Sequence, residues 1–349
     1  MKPMLAFLFS LLISFSVNAN TEISSSLKLP LAAQSLLLDI TLVNNSKLVA
    51  VGERGHILTS SDAISWQQAN VPIQSTLTKT FFVNASLGWA IGHDASILQT
   101  KDGGDNWKVQ QYLPSSEMPL FDVLFKDKYN GIVIGAYGQF YRTIDGGQNW
   151  TFEFHQEFLL ADDVEYLNEL KLEDEEAYLD ERASILPHFN RVFQDGRTLY
   201  MVGEIGLIAK SNDFGKTWRS FQDVYQGSFF DVTRTEQGNL LIVGLRGNVF
   251  RSVNNGATWS NSPTGTTSSL NSIVLGENST ISLLGNNGTY LVSKDDGKTF
   301  TSHAQLDGKP LIAGVWFNGK IIAVSDAGIK TVSTLVSIIT SGFKNKNAY

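Results

Sequence analysis

A phrase of seven or eight residues returns six times along this chain, and it constrains the fold more than any other feature. It opens on Ser or Thr, carries Asp or Asn two residues later, turns, and closes on an aromatic. The copies are Ser60–Trp66 (with Asp62), Thr100–Trp107 (Asp102), Thr143–Trp150 (Asp145), Ser211–Trp218 (Asp213), Ser252–Trp259 (Asn254) and Ser293–Phe300 (Asp295). The closing aromatics stand 41, 43, 68, 41 and 41 residues apart. A period near 41 residues is the length of one four-stranded propeller blade.

A second landmark runs in phase. Ahead of each box an apolar strand ends in glycine, turns over two residues and resumes, as in Val49–Leu58 and Leu241–Phe250. Further turns start at Gly92, Gly135, Gly203 and Gly285, and a seventh, Ser325–Gly328, has no box after it. Paired glycines suit a tight hairpin because glycine reaches positive φ without strain. Each unit reads as strand A, strand B, the Gly-x-x-Gly turn, strand C, the box, and strand D. The expected fold is all-β: a seven-bladed β-propeller with one acidic, partly helical insertion. The last blade supplies strands A to C between Leu311 and Thr334. Its outer strand is expected from the N-terminus, around Ile23 to Leu29, with Leu335 to Ile339 as the alternative donor; closure removes open sheet edges.

The box chemistry reads as structural. The carboxylate accepts backbone N–H groups across the C–D turn, the hydroxyl bonds locally, and the aromatic packs between blades. Sugar-stacking platforms or metal sites at these positions are disfavoured, because a binding site is local whereas packing recurs in every blade. The box resembles the Asp-box, or BNR repeat, of sialidase-type propellers. Beyond it, the whole mature chain resembles the photosystem II stability/assembly-factor family in its bacterial, non-photosynthetic form. The phrases Gly52–Leu58, Gly88–Asp94, Val133–Gly138, Gly203–Gly206, Val243–Val249 and Leu284–Gly288 carry that likeness. The resemblance implies a non-enzymatic assembly factor that holds membrane-protein subunits or precursors; the photosynthetic partner does not carry over. The short first box and the acidic insertion depart from the family's pattern.

Composition limits the rest. Lys2, the apolar stretch Leu5 to Val17 and the small-residue pattern Val17 to Ala19 read as a secretory leader cut after Ala19. The mature protein, residues 20–349, is then one propeller domain in the periplasm or outside the cell. The chain has no cysteine, which excludes disulfides and thiolate chemistry. Net charge is −7, yet Glu153 to Arg182 holds twelve acidic and two basic residues. The remainder carries no nucleic-acid footprint. No cofactor or metal is expected, and the mature protein reads as a monomer that does not span a membrane.

Turns alternate ends in a meandering sheet. The boxes therefore decorate one end, the bottom, while the Gly-x-x-Gly turns and the insertion (153–187) share the other, the top. The candidate binding face is the ring of central turn residues: Glu53, Arg54, His93, Asp94, Tyr137, Glu204, Arg246, Asn286, Asn287 and Asp326. Within the insertion, Asp162 is expected as a helix N-cap with Glu165 completing a capping box. Val164, Leu167 and Leu170 share a helical face, and Pro187 stops the helix. Strand-A residues Asp39, Lys79, Asp122, Arg191, Asp231 and Ser272 line the channel with alternating sign and read as mutually paired. The expected activity is binding of a protein partner such as an inner-membrane complex. The rival is a sialidase-like hydrolase or a glycan binder, which needs an arginine cluster, an acid/base carboxylate and a tyrosine–carboxylate pair, here Tyr137 and Glu204.

Overall fold

The computed structural model describes residues 24–332. Seven antiparallel sheets follow one another, six of four strands and a last one of three. Each is a meander in chain order, as in Leu37–Val43, Lys47–Gly52, Ile57–Ser60 and Gln67–Gln68 of blade one. The architecture is the seven-bladed propeller expected from the repeat.

Seven apolar clusters hold the ring, each shared by two neighbouring blades. The box aromatics explain why the phrase recurs. Trp107 joins Val49, Val51 and Ile57 of blade one to Leu77 and Ala90 of blade two. Trp150, Trp218, Trp259 and Phe300 fill the same position in the next four interfaces. Trp66 serves where blade one meets Ala313, Phe317 and Val324 of blade seven, which closes the circle. Flat rings buried between twisted sheets supply large apolar area at each joint.

The Ser or Thr and the Asp of the box bond as the sequence implies. Asp102 Oδ1 accepts from Thr100 Oγ1 at 2.9 Å and from the Asn106 N–H at 3.0 Å, while the Gly104 N–H donates to Thr100 Oγ1 at 3.0 Å. Asn254 makes the same bonds with a neutral amide, to Ser252 Oγ at 3.0 Å and the Thr258 N–H at 2.9 Å. Bonds to Asn149 and Thr143 hold the Asp145 carboxyl down at about 2.

Three expectations need correction. The first glycine of each top turn is extended rather than at positive φ: Gly52 has φ −173°. It is glycine because a Cβ there would lie 2.1 Å from the Leu36 carbonyl oxygen; the positive φ belongs to Arg54 and Gly55. The N-terminal segment does not complete blade seven. Residues 24–29 form no strand and cross the top of blade one, where the Ser26 N–H donates to the Val71 carbonyl at 2.9 Å. The Leu29 N–H donates to Gln68 Oε1 at 2.9 Å. Ile23, the leader (1–19) and the alternative donor Leu335–Ile339 lie outside the described residues.

The insertion forms α1 (Ala161–Glu173) and α2 (Glu175–Arg182). Asp162 lies inside the first turn of α1, whose N-cap is Leu160 with no side-chain bond, so no capping box forms. Two early carboxylates, Asp162 and Asp163, suit the positive end of the helix dipole instead. Asp174 caps α2, accepting the Ala177 N–H at 3.0 Å. Leu167 is buried between half-buried Val164 and Leu170, as the periodicity implies. α2 ends at Arg182, ahead of Pro187.

Candidate binding face

The top face is built from seven B–C turns and the connections that enter each strand A. The two are latched together: the Glu53 N–H donates to the Leu36 carbonyl at 3.0 Å, and the Glu204 N–H to that of His188 at 3.0 Å. The first six turns are therefore held rigidly, each with its second central residue at positive φ: Arg54, Asp94, Tyr137, Ile205, Arg246 and Asn287.

The ten candidate residues divide into two groups. Glu53, Asp94, Glu204, Asn286, Asn287 and Asp326 are engaged within the fold. Glu53 Oε1 accepts the Leu36 N–H at 3.2 Å, and Glu204 Oε2 the His188 N–H at 3.2 Å. Asp94 accepts from Ser75 Oγ, Asn286 Oδ1 from Asn271 at 3.0 Å, and Asp326 pairs with Lys309 at 3.4 Å. Asn287 Nδ2 reaches Ser268 Oγ at 3.5 Å. Arg54, His93 and Arg246 are exposed, and among the described residues their side chains have no hydrogen bond or ion pair. Tyr137 is 44% exposed and rests edge-on against His188, with ring centroids 4.5 Å apart. The face thus ties down its carboxylates and leaves Arg54 and Arg246 free.

Strand A enters every one of the first six blades through a register shift, between Leu37 and Asp39 in blade one and at the matching place in the next five. A bulge of this kind turns one residue toward the axis. Even blades place polar residues there, and each donates to the following blade: Thr78 to the Leu120 carbonyl at 2.5 Å, Asn190 to that of Phe229 at 2.8 Å, Asn271 to that of Leu311 at 3.0 Å. Odd blades place Leu38, Phe121 and Phe230, and blade seven places Ile312 at the equivalent position. These four half-buried apolar side chains form a collar over a cavity of about 230 Å³.

Of the expected charge ring, Asp39, Lys79, Arg191, Asp231 and Ser272 line the same cavity, and Asp122 is fully buried beside it. Asp39 pairs with Lys79 at 2.9 Å; Arg191 pairs with Asp122 at 2.9 Å and with Asp231 at 3.1 Å. The second oxygens of Asp39, Asp122 and Asp231 accept backbone N–H groups of the next blade, at Thr80 (3.0 Å), Val192 (2.8 Å) and Ile273 (2.8 Å). Burial pushes the Asp122 carboxyl up, against the pull of Arg191 and Lys79. These groups stitch blades together, and Ser272 lines the wall without an ion pair.

The tyrosine–carboxylate pair of the hydrolase reading does not form directly. His188 stands between, its Nδ1 3.4 Å from Glu204 Oε1. Of the three arginines near the mouth, Arg191 is locked by two carboxylates, while Arg54 and Arg246 stand on blades one and five. No group of three or more metal-ligating side chains converges among the described residues. Sequence reasoning missed His188 and the collar. The repeated apolar-x-charged phrase, as in Leu37–Asp39 and Phe229–Asp231, was the available signal for the collar.

The insertion stands beside this face. Phe154, Phe158, Leu159, Ile185 and Leu186 root it in the cluster between blades three and four. Arg182 stacks over Phe152, Phe154 and Tyr178. Beyond the root, Leu160 (74%), Tyr166 (46%), Leu172 (89%) and Leu179 (47%) are exposed among the carboxylates.

Residues 58–118 match the family model described as Photosynthesis system II assembly factor YCF48. A curated relative, the Photosystem II assembly protein Ycf48 of Synechococcus sp. (strain JA-3-3Ab), is 40% identical over 50 residues. That stretch is 14% of this chain and 15% of the relative's length. A solved structure described as YCF48 bound to D1 peptide aligns over 90% of this chain and 97% of its own, with TM-score 0.64 and 17% identity. Virginiamycin B lyase from Staphylococcus aureus aligns over 86% of this chain and 96% of its own, with TM-score 0.67 and 11% identity. Likeness at such identity shows the propeller fold alone, shared by a binder and an enzyme.

Proposed function

The chain being a Ycf48-like propeller, we propose that it is an exported, non-enzymatic factor that uses its top face to hold a protein partner, a subunit or precursor of a membrane-protein complex. The observation that carries the reading is the asymmetry between the two ends. On the bottom, box after box satisfies its own polar groups with the same bonds. On the top, Arg54, His93, Tyr137 and Arg246 stand unpaired or exposed around an apolar collar, beside an arm with twelve acidic residues to two basic ones. Repetition marks scaffolding, and variation at equivalent positions marks a surface free to specialise.

The arm is more than a solvated excursion. A helix that only bridges through solvent is polar all round, whereas this one exposes Leu160, Tyr166, Leu172 and Leu179 between its carboxylates. Exposed apolar groups ringed by one sign of charge suit a partner segment that is basic and amphipathic. The partner therefore meets cations at the turns and anions at the arm. Association weakens with salt, because exposed charges are screened beyond roughly 8–10 Å. Export through residues 1–19 brings the propeller to the face of the membrane where such subunits emerge.

The test is capture of the partner by the exported protein in mild detergent, comparing the native chain with Arg54→Glu/Arg246→Glu and with a variant in which a short linker replaces 161–182. Those bounds spare Phe158, Leu159, Ile185 and Leu186, which the propeller core needs. Both variants should melt near the native temperature and lose most of the captured partner. Normal capture by both would sink the reading. Hydrolysis of sialosides or other glycosides that vanishes in Tyr137→Phe would favour the enzyme instead.

A further inference from the structure

The box end of the propeller departs from its own pattern where blades three and four meet. Their A–B turns and boxes surround an open cleft of about 720 Å³, the size of a small-molecule site. Four cations line it, Lys126 and Arg142 of blade three and Arg197 and Lys216 of blade four, against one carboxylate, Asp213. That carboxylate belongs to its box: Oδ1 accepts from Ser211 Oγ at 2.7 Å and from the Thr217 N–H at 3.0 Å, and Oδ2 from Thr217 Oγ1 at 2.7 Å. Glu153 answers Arg142 with two bonds of 2.6 and 2.8 Å. Among the described residues Lys126, Arg197 and Lys216 form no ion pair, and the side chains of Arg197 and Lys216 make no hydrogen bond. The cleft therefore holds positive charge that the fold does not neutralise.

Phe214 marks the same place. It holds the fourth position of its box in the left-handed region, at φ 59°, where a bulky side chain is disfavoured. The matching residues of four other boxes are Gly103, Gly146, Asn255 and Asp296, types that accept this conformation. Blade six shows what the exchange removes. There Asp296 reaches back to blade five, and its Oδ2 accepts from Arg251 Nη2 and from Asn239 Nδ2, both at 2.5 Å. Arg142 and Asn130 hold the corresponding places in blade three, the arginine just before the box and the asparagine just before strand B. Phe214 offers them no carboxylate. Arg142 Nη1 donates to its backbone carbonyl at 2.8 Å, and the Lys126 ammonium lies over its ring, 5.7 Å from the centroid. At one joint the fold supplies the anion itself; at the other it supplies an aromatic wall among cations.

We propose that this cleft is a binding site, separate from the top face, for an organic phosphate ester. Its oxyanion is held by Arg197, Lys216 and Lys126, and its apolar body lies against Phe214 and Ile144. Three uncompensated cations match the charge of a phosphate better than that of a single carboxylate, and both side-chain types hold phosphate oxygens through charge-assisted hydrogen bonds. Ile144 is 74% exposed on the cleft wall, so covering it and Phe214 favours an ester with apolar surface over a bare ion. A soluble ester and a phospholipid headgroup share this chemistry.

The test is calorimetry at physiological ionic strength, where diffuse attraction is screened, with phenyl phosphate and with inorganic phosphate. Vesicles of phosphatidylcholine with and without phosphatidylglycerol form a parallel sedimentation arm. The native chain is compared with Arg197→Gln/Lys216→Gln and with Lys101→Gln/Lys294→Gln, which removes equal charge from other boxes on the same end; all four side chains are exposed, so folding should survive. Phenyl phosphate should bind once per chain, at least about tenfold tighter than inorganic phosphate. Arg197→Gln/Lys216→Gln should weaken it by at least about tenfold and Lys101→Gln/Lys294→Gln should leave it unchanged. Phe214→Asn, which copies Asn255, should erase the advantage over inorganic phosphate. Sedimentation with the phosphatidylglycerol vesicles, lost in Arg197→Gln/Lys216→Gln, would assign the ester to a lipid; phenyl phosphate binding without sedimentation would assign it to a soluble ligand. Absence of both, equal affinity for the two phosphates, or equal weakening by the two paired variants would overturn the proposal.

Discussion

Replacing Trp107 probes what the repeated aromatic does. Its side chain is 5% exposed and packs in one cluster with Val49 and Phe82. Truncation to alanine removes roughly 150–200 Å² of buried apolar surface, or about 4–5 kcal/mol at ~25 cal/mol per Å². Partial collapse brings the expected loss to about 3–5 kcal/mol. In a protein of this size that corresponds to a fall of roughly 4–8 °C in Tm. Phenylalanine is the sharper probe, since Phe300 occupies the same seat in blade six. Trp107 Nε1 donates to the Gly104 carbonyl at 3.0 Å and so closes its own turn. The buried Nε1 atoms of Trp150, Trp218 and Trp259 have no protein partner among the described residues. Trp107→Phe therefore loses a hydrogen bond that Trp218→Phe does not, and should be costlier by about 1 kcal/mol. Urea melts of these three variants decide the matter. A silent Trp107→Ala, or equal cost for the two phenylalanine variants, refutes the packing argument or the role of the indole N–H.

Three further outcomes follow from the same geometry. Asp145 and Asp295 each titrate at about 2, held down first by the side chains of Asn149 and Thr299. A carboxyl with a depressed folded pKa contributes stability above its unfolded value and loses it as pH falls from about 4 toward 2. Asp145→Asn/Asp295→Asn, which copies the natural Asn254, should be nearly neutral at pH 7 and flatten Tm between pH 4 and 2; an unchanged slope contradicts this. Gly52→Ala, whose Cβ would lie 2.1 Å from a backbone oxygen, should cost more than about 2 kcal/mol in urea melts, whereas Gly196→Ala, with nothing within 4 Å, should cost about 1. Arg191→Met strands buried Asp122 and should cost about 3–5 kcal/mol near pH 8. The loss should be smaller at pH 5, where a carboxyl already raised by burial takes up a proton; equal losses at both pH values would count against the ion pair.

The sequence disclosed the ring and its two ends because every blade repeats the same problem. An aromatic at each joint and a turn at each end leave a period, and a period can be counted. Alternating signs on strand A likewise announced the pairing of Asp39 with Lys79 and of Arg191 with Asp122 and Asp231. What stayed hidden depends on singular contacts. The bulge that turns Phe121 and Phe230 toward the axis is a shift in pairing, and pairing is not written in either strand alone. The first glycine of each top turn is needed for a carbonyl that approaches it, which spacing cannot show. His188 reaches Tyr137 because Leu186 docks against Gly138, where a Cβ would lie 2.5 Å from the leucine. The ten turn residues looked equivalent, yet their division into engaged and exposed side chains depends on partners from other segments.

Site-specific photo-crosslinking in the exporting cell tests the working face most directly. A photoreactive residue would replace Arg246 or Tyr137 on the top turns, and Lys101 or Lys216 on the bottom ones, with and without α1 and α2. The top positions should capture one and the same membrane-complex protein, the bottom positions should not, and removal of the helices should abolish capture while the propeller stays folded. Capture of that protein from Lys101 and Lys216 alone, unaffected by loss of the helices, would place the working face on the box end and contradict the account.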